Sequence, residues 1–139
     1  MSNGKSLRSC EDACARLIAD FAYFVDSRQY DSLVDLLAED CSFERRGAVL
    51  SGRSAILDFM RARPEHVVTR HVCTNIRIDQ TGPGTARGGC TLLMFHGALD
   101  QHGQPTSGQP SVTVADYQDT FVATVDGWRF ASRVATIIF

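Results

Sequence analysis

His71, His96 and Asp26 are the residues in this chain best suited to moving protons near neutral pH. The two histidines stand 25 residues apart and are equidistant from a midpoint between Pro83 and Gly84, within the turn sequence Gly82-Pro83-Gly84. A hairpin turning there would set them opposite each other on one face, with Cβ atoms about 4.5–5.5 Å apart. Either ring taken alone reads equally as an exposed or singly satisfied strand histidine. Strict alternation would group His71 with Cys73, Asn75 and Arg77, away from Ile76 and Ile78. A β-bulge between His71 and Ile76 is therefore expected, returning the histidine to the apolar face.

Asp26 closes a helical run, where the macrodipole disfavours a carboxylate by about 0.3–1 kcal/mol. It continues a track of Ala15, Ala19 and Ala22 along the margin of the apolar stripe, so small side chains leave room beside it. A partly buried carboxylate at that point requires a partner, for which histidine is suited; the alternative is a solvated aspartate at a frayed helix end. Two imidazoles and a carboxylate near one bound molecule could take a proton at one atom and deliver one at another. Phe21, Phe43, Met94 and Tyr117 are the apolar walls expected to orient such a molecule. No cofactor and no metal is implied.

The elements that must position these groups follow from periodicity. Cys10, Cys14, Leu17, Ile18, Phe21 and Val25 recur at helical spacing between Ser9 and Asp26. Tyr30, Leu33, Val34 and Leu37 predict a second, short helix. Cys41 to Arg45 reads as a brief strand, and Ala55, Ile56, Phe59 and Met60 as a third helix ended by Pro64. The period then changes to that of long β-branched and aromatic runs: Val67–Asp79, Ala86–Leu99, Ser111–Thr124 and Trp128–Phe139. Three helices followed by long hairpin-connected strands give an α+β domain, a cone-shaped α+β barrel in which the three N-terminal helices pack on a strongly curved antiparallel sheet. Residues 1–139 are read as a single domain.

Composition narrows the function classes. Fourteen basic against 16 acidic residues give a formal charge of −2, and no basic cluster interleaves with aromatics, so nucleic acid is not an expected partner. No apolar run reaches the length of a membrane span, and Met1–Arg8 is polar rather than signal-like, which points to a cytoplasmic protein. Five cysteines without CxxC or Cys/His ligand spacing suggest neither a disulfide framework nor zinc. His66 and His102 read as solvent-exposed.

The run Phe21-Ala-Tyr-Phe-Val-Asp-Ser-Arg-Gln-Tyr-Asp-Ser-Leu, the stretch Thr69-Arg-His-Val-Cys-Thr-Asn, and Tyr117-Gln-Asp-Thr-Phe with Asp126-Gly-Trp-Arg-Phe resemble the SnoaL-like, nuclear transport factor 2-like superfamily over roughly residues 10–134. Within it the nearest functional likeness is to scytalone dehydratases. That resemblance implies Asp26, His71 and His96 as the catalytic trio, His71 as the acid/base, and His96 paired with Asp26 to hold the leaving group. It also marks departures. Two tyrosines that hold a carbonyl-polarising water in that family correspond here to Val25 and Arg45, and a pocket asparagine to Tyr117. Arg45 is then either a rim residue or a donor to a carbonyl or anionic group in place of the missing tyrosine.

The implied function is a dehydratase-like hydro-lyase acting on a small cyclic or polyketide-like hydroxy ketone. Its site would comprise the trio with Phe21, Val25, Phe43, Arg45, Met94 and Tyr117. Two other classes remain compatible: a non-catalytic binder of small apolar molecules, and an assembly module resembling oxygenase small subunits. Self-association over the sheet's outer face is expected, as a homodimer or alternatively a trimer.

Overall fold

A computed structural model describes residues 9–106 and 108–139. The polar stretch Met1–Arg8 lies outside the described residues. Helix α1 spans Cys10–Asp26, α2 Tyr30–Val34 and α3 Arg53–Arg61; the strands are β1 Leu37–Arg45, β2 Ala48–Ser51, β3 Val67–Gly82, β4 Thr85–Ala98, β5 Ser111–Thr124 and β6 Gly127–Ile137. The six strands form one open sheet in the order β2-β1-β6-β5-β4-β3.

Ser9 caps α1 by accepting the Asp12 N–H at 3.1 Å, and Glu11 and Asp12 suit the positive end of the helix dipole. The apolar face read from periodicity is the buried one: Cys14, Leu17, Ile18, Phe21, Ala22 and Val25 turn to the sheet. Phe21 meets Phe43 and Phe130 edge-on, with ring centroids 6.0 and 5.6 Å away, and Phe130 continues to Phe121 at 5.1 Å. Removing such a ring from a packed core costs about 3–5 kcal/mol, so this aromatic row is the main tie between α1 and the sheet.

Three details depart from the sequence reading. The sheet is mixed, because β1 lies parallel to β6 while every other pairing is antiparallel. Period-two patterning identifies a strand but carries nothing about its neighbour's direction. The second helix stops at Val34, and Leu37 instead opens β1. Its apolar spacing is shared by a short helix and the buried start of a strand. Finally, β2 joins the sheet edge through a tight turn in which Arg46 and Gly47 both have positive φ, 49° and 77°, as a two-residue hairpin requires.

Two irregularities in β3 set the geometry of the site. The β3–β4 hairpin begins in the expected register, Gly82 opposite Thr85, but shifts between Gln80 and Gly82 and again between Thr74 and Arg77. Asn75 takes φ 54° in the second shift. Beyond both, His71 faces Met94 and His96 faces Thr69, so the histidines are diagonal neighbours instead of direct partners. A bulge does bring His71 and the core-packed Ile78 to one face, although Ile76 stays 38% exposed. Opposite these shifts β4 carries Gly88 and Gly89; a Cβ on either would overlap the carbonyl of Arg77 or Tyr117 respectively. Glycine is what lets the three strands stay this close at the bulge.

Candidate active site

The end of α1 is fixed by a turn that places Asp26 against β3. Arg28 adopts φ 58°, and its N–H reaches the Val25 carbonyl at 3.2 Å while the Gln29 N–H reaches Phe24 at 2.9 Å, a Schellman arrangement usually completed by glycine. The guanidinium of this arginine donates to the carbonyls of Pro64 at 2.7 Å and Val67 at 2.6 Å, tying the helix end to the start of β3. Arg63 adds a second tie, donating to the Val25 carbonyl and the Tyr30 hydroxyl, each at 2.9 Å, and to the Thr69 hydroxyl at 2.8 Å. These cations offset the negative end of the helix, so a carboxylate can sit there.

Asp26 uses both oxygens on β3. Oδ1 lies 2.6 Å from His71 Nδ1 and accepts the Thr69 hydroxyl at 2.9 Å; Oδ2 accepts the His71 backbone N–H at 2.7 Å. The two side chains are 12% and 10% exposed respectively, so the pair is shielded. Burial pushes the Asp26 carboxyl up, but hydrogen bonds from the His71 ring and backbone, the attraction of the imidazole and the Thr69 hydroxyl together hold it below the ordinary carboxylate range. The partner of Asp26 is thus His71. The pairing of Asp26 with His96 is not formed: His96 lies opposite Thr69 and is exposed at the cavity rim, while Asp26 is taken up by His71 and Thr69.

Between helices and sheet lies a cavity of about 510 Å³, within the usual range for small-molecule sites. His71 and His96 line it, and so do all six residues expected to contact a ligand: Phe21, Val25, Phe43, Arg45, Met94 and Tyr117. Asp26 stands behind His71. His66 and His102 are exposed, as expected. Among the described residues no three His, Cys, Asp or Glu side chains group as metal ligands would.

Sequence reasoning missed the support beneath the cavity. Arg133 and Asp119, 2% and 0% exposed at the side chain, form a bidentate pair at 2.7 and 2.9 Å. The guanidinium carbon lies 3.8 Å from the Tyr117 ring centroid and 4.4 Å from that of Phe21, so two cavity walls rest on one buried cation. Desolvation pulls the guanidinium pKa down, but the Asp119 carboxylate outweighs it and keeps Arg133 charged. Burial likewise drives the Tyr117 hydroxyl upward. The only signal in the sequence was that Asp119 and Arg133 interrupt otherwise apolar positions, and this became meaningful once β5 and β6 aligned them as direct partners. Thr69, Arg63 and Arg28 were equally unmarked, since their roles depend on where a helix end meets a strand.

Comparison with known proteins agrees with this architecture. A structure assigned as a scytalone dehydratase from Novosphingobium aromaticivorans is 23% identical, with 91% of this chain and 83% of that one covered and a TM-score of 0.77. A hexachlorocyclohexane dehydrochlorinase (LinA) type 2 is 20% identical over 91% and 84%, with a TM-score of 0.78. A further N. aromaticivorans structure, an NTF2-like protein with a cystatin-like fold, is 22% identical over 91% and 80%, with a TM-score of 0.75. No curated protein matches the chain. At these identities the likeness establishes the fold, and a family model for the SnoaL-like domain matches residues 9–134. With that model spanning nearly all of its length, the chain belongs to the SnoaL-like family.

Proposed function

We propose that the chain is a hydro-lyase in which Asp26 and His71 form a proton-transfer pair that eliminates water from a small cyclic hydroxy ketone. The observation that carries this reading is the shielded 2.6 Å contact between Asp26 and the Nδ1 of a histidine lining the cavity. With Nδ1–H held by the carboxylate, a neutral ring presents Nε2 as a base. Nε2 takes a proton from the carbon beside the carbonyl. The released electron pair forms the carbon–carbon double bond as the bond to the β-hydroxyl breaks. The imidazolium, stabilised by Asp26, returns its proton to the departing oxygen, which leaves as water.

His96 assists from the rim by hydrogen-bonding the leaving hydroxyl, and Phe21, Val25, Phe43, Met94 and Tyr117 orient the ring system. Two of the similar structures are named for eliminations, one a dehydratase and one a dehydrochlorinase, which supports the same class of reaction. The test is a screen of cyclic β-hydroxy ketones, followed by ultraviolet absorbance as the conjugated product forms. His71→Ala should abolish turnover and Asp26→Asn should lower kcat by about 10²- to 10⁴-fold. Folded variants that keep full turnover would refute the assignment.

The same reading takes the chain to be a homodimer, with a trimer as the alternative. Val72, Phe95 and Val112 are 44, 38 and 49% exposed on adjoining strands of the outer face, with Phe95 directly opposite Val112. Light scattering of wild type and Phe95→Glu would reveal dissociation if this face is the interface.

A further inference from the structure

The cavity is electrostatically one-sided. Arg45, Arg46 and Arg63 line it together with the two histidines, and among the described residues no aspartate or glutamate does so. Arg63 is committed to the Val25 carbonyl, the Tyr30 hydroxyl and Thr69. Arg45 is not. Its guanidinium stacks on the Phe59 ring, 4.9 Å from the centroid, and among the described residues it forms no ion pair. Burial and the neighbouring Arg46 both disfavour its charge, and only the Tyr117 hydroxyl works against them; among the described residues no carboxylate pairs with it. The contrast with Arg133, which is matched by a bidentate carboxylate, is direct.

A half-buried guanidinium that packs against an aromatic ring and lacks an anion is prepared for one from outside. Its planar fork fits a carboxylate better than an ammonium would. Its place in the sheet sets where that anion would lie. Arg45 on β1 aligns through Ala135 on β6 with Tyr117 on β5, whereas His71 on β3 aligns with Met94 and Thr113. Four inter-strand steps, each about 4.8 Å along the sheet, separate the strands of Arg45 and His71, and both residues line the cavity.

We propose that the molecule accepted by this cavity is a cyclic or aromatic carboxylate, its anionic group held by Arg45, four strands along the sheet from His71. Which end of the molecule reacts rests on the proposed elimination; the demand for an anion does not require turnover, so the two are separable.

The experiment is calorimetric titration of the full chain with 2-naphthoate and with its neutral analogue 2-naphthamide, in alkaline buffer where an ordinary imidazole carries no charge. Wild type should bind the acid at least about tenfold more tightly than the amide, the size expected of charge-assisted hydrogen bonds in a partly shielded site. The preference should fall to within about twofold in Arg45→Gln, remain partial in Arg45→Lys, and persist in Arg87→Gln on the outer face. Arg45→Lys supplies the comparison if the glutamine variant does not fold. Equal affinity for acid and amide, failure of both to bind, or an undiminished preference in the folded Arg45 variants would overturn the proposal. A wild type that prefers the acid but turns over no hydroxy ketone would leave this inference standing and remove the elimination reading; turnover of neutral hydroxy ketones without acid preference would do the reverse.

Discussion

Asp26 holds His71 twice, through the ring Nδ1 at 2.6 Å and through the backbone N–H at 2.7 Å. A carboxylate that binds the backbone of the residue whose ring it orients leaves that ring little freedom to turn, because both ends of the side chain are referred to one rigid group. The helix end carrying Asp26 is itself tied to β3 by Arg28 and Arg63. The arrangement predicts more than loss of turnover.

Replacing Asp26 with asparagine should change the His71 tautomer. An amide can offer Nδ1 either its oxygen or its NH₂ group, so the strict demand for Nδ1–H is lost. Long-range ¹H–¹⁵N correlation spectra of the neutral ring should report Nδ1–H in the wild type and a mixed or Nε2–H form in Asp26→Asn. An unchanged tautomer would mean that the carboxylate does not set it.

Acid stability should depend on the same carboxyl. Its folded pKa lies below the ordinary value, so its contribution is fully present above the unfolded value of about 3.9 and is lost as pH falls through the lower folded value. Urea midpoints of wild type and Asp26→Asn should therefore differ at neutral pH and converge in acid below about pH 4. A difference independent of pH across that window would contradict the linkage.

The buried pair beneath the cavity gives a larger effect. Asp119→Ala leaves the Arg133 guanidinium in the core without its carboxylate and should cost about 3–5 kcal/mol in urea unfolding. Asp119→Leu combined with Arg133→Met should cost less than the two single changes added together, since it removes both charges from the core. Additive losses would indicate that the pair is not coupled.

The register shift at Asn75 should depend on residue type. At φ 54° a β-branched side chain is disfavoured by about 1–2 kcal/mol, so Asn75→Val should destabilise by roughly that amount, while Asn75→Gly should be nearly neutral. Equal stability of the valine and glycine variants would show that the conformation is not required in solution.

Much of this molecule was legible before any tertiary contact was known. The apolar stripe of α1, the four long strands and the Gly82-Pro83-Gly84 turn follow from periodicity and turn chemistry, which act over a few residues and are written in residue type. Residue type and hairpin arithmetic marked Asp26, His71 and His96 only as possible proton-transfer groups, and the resemblance to scytalone dehydratases is what joined them as one candidate trio. The need for a bulge in β3 was also readable, since strict alternation set His71 apart from Ile76 and Ile78, although the bulge brought only Ile78 to the core and left Ile76 exposed. What residue type could not decide was how far two shifts would slide one strand along another, or which of the two histidines would meet Asp26. Nor could local pattern join Asp119 to Arg133, strip Arg45 of an anion, or set β1 parallel to β6. Those outcomes depend on distances between segments remote in sequence, which are fixed only when the open sheet packs against its helices.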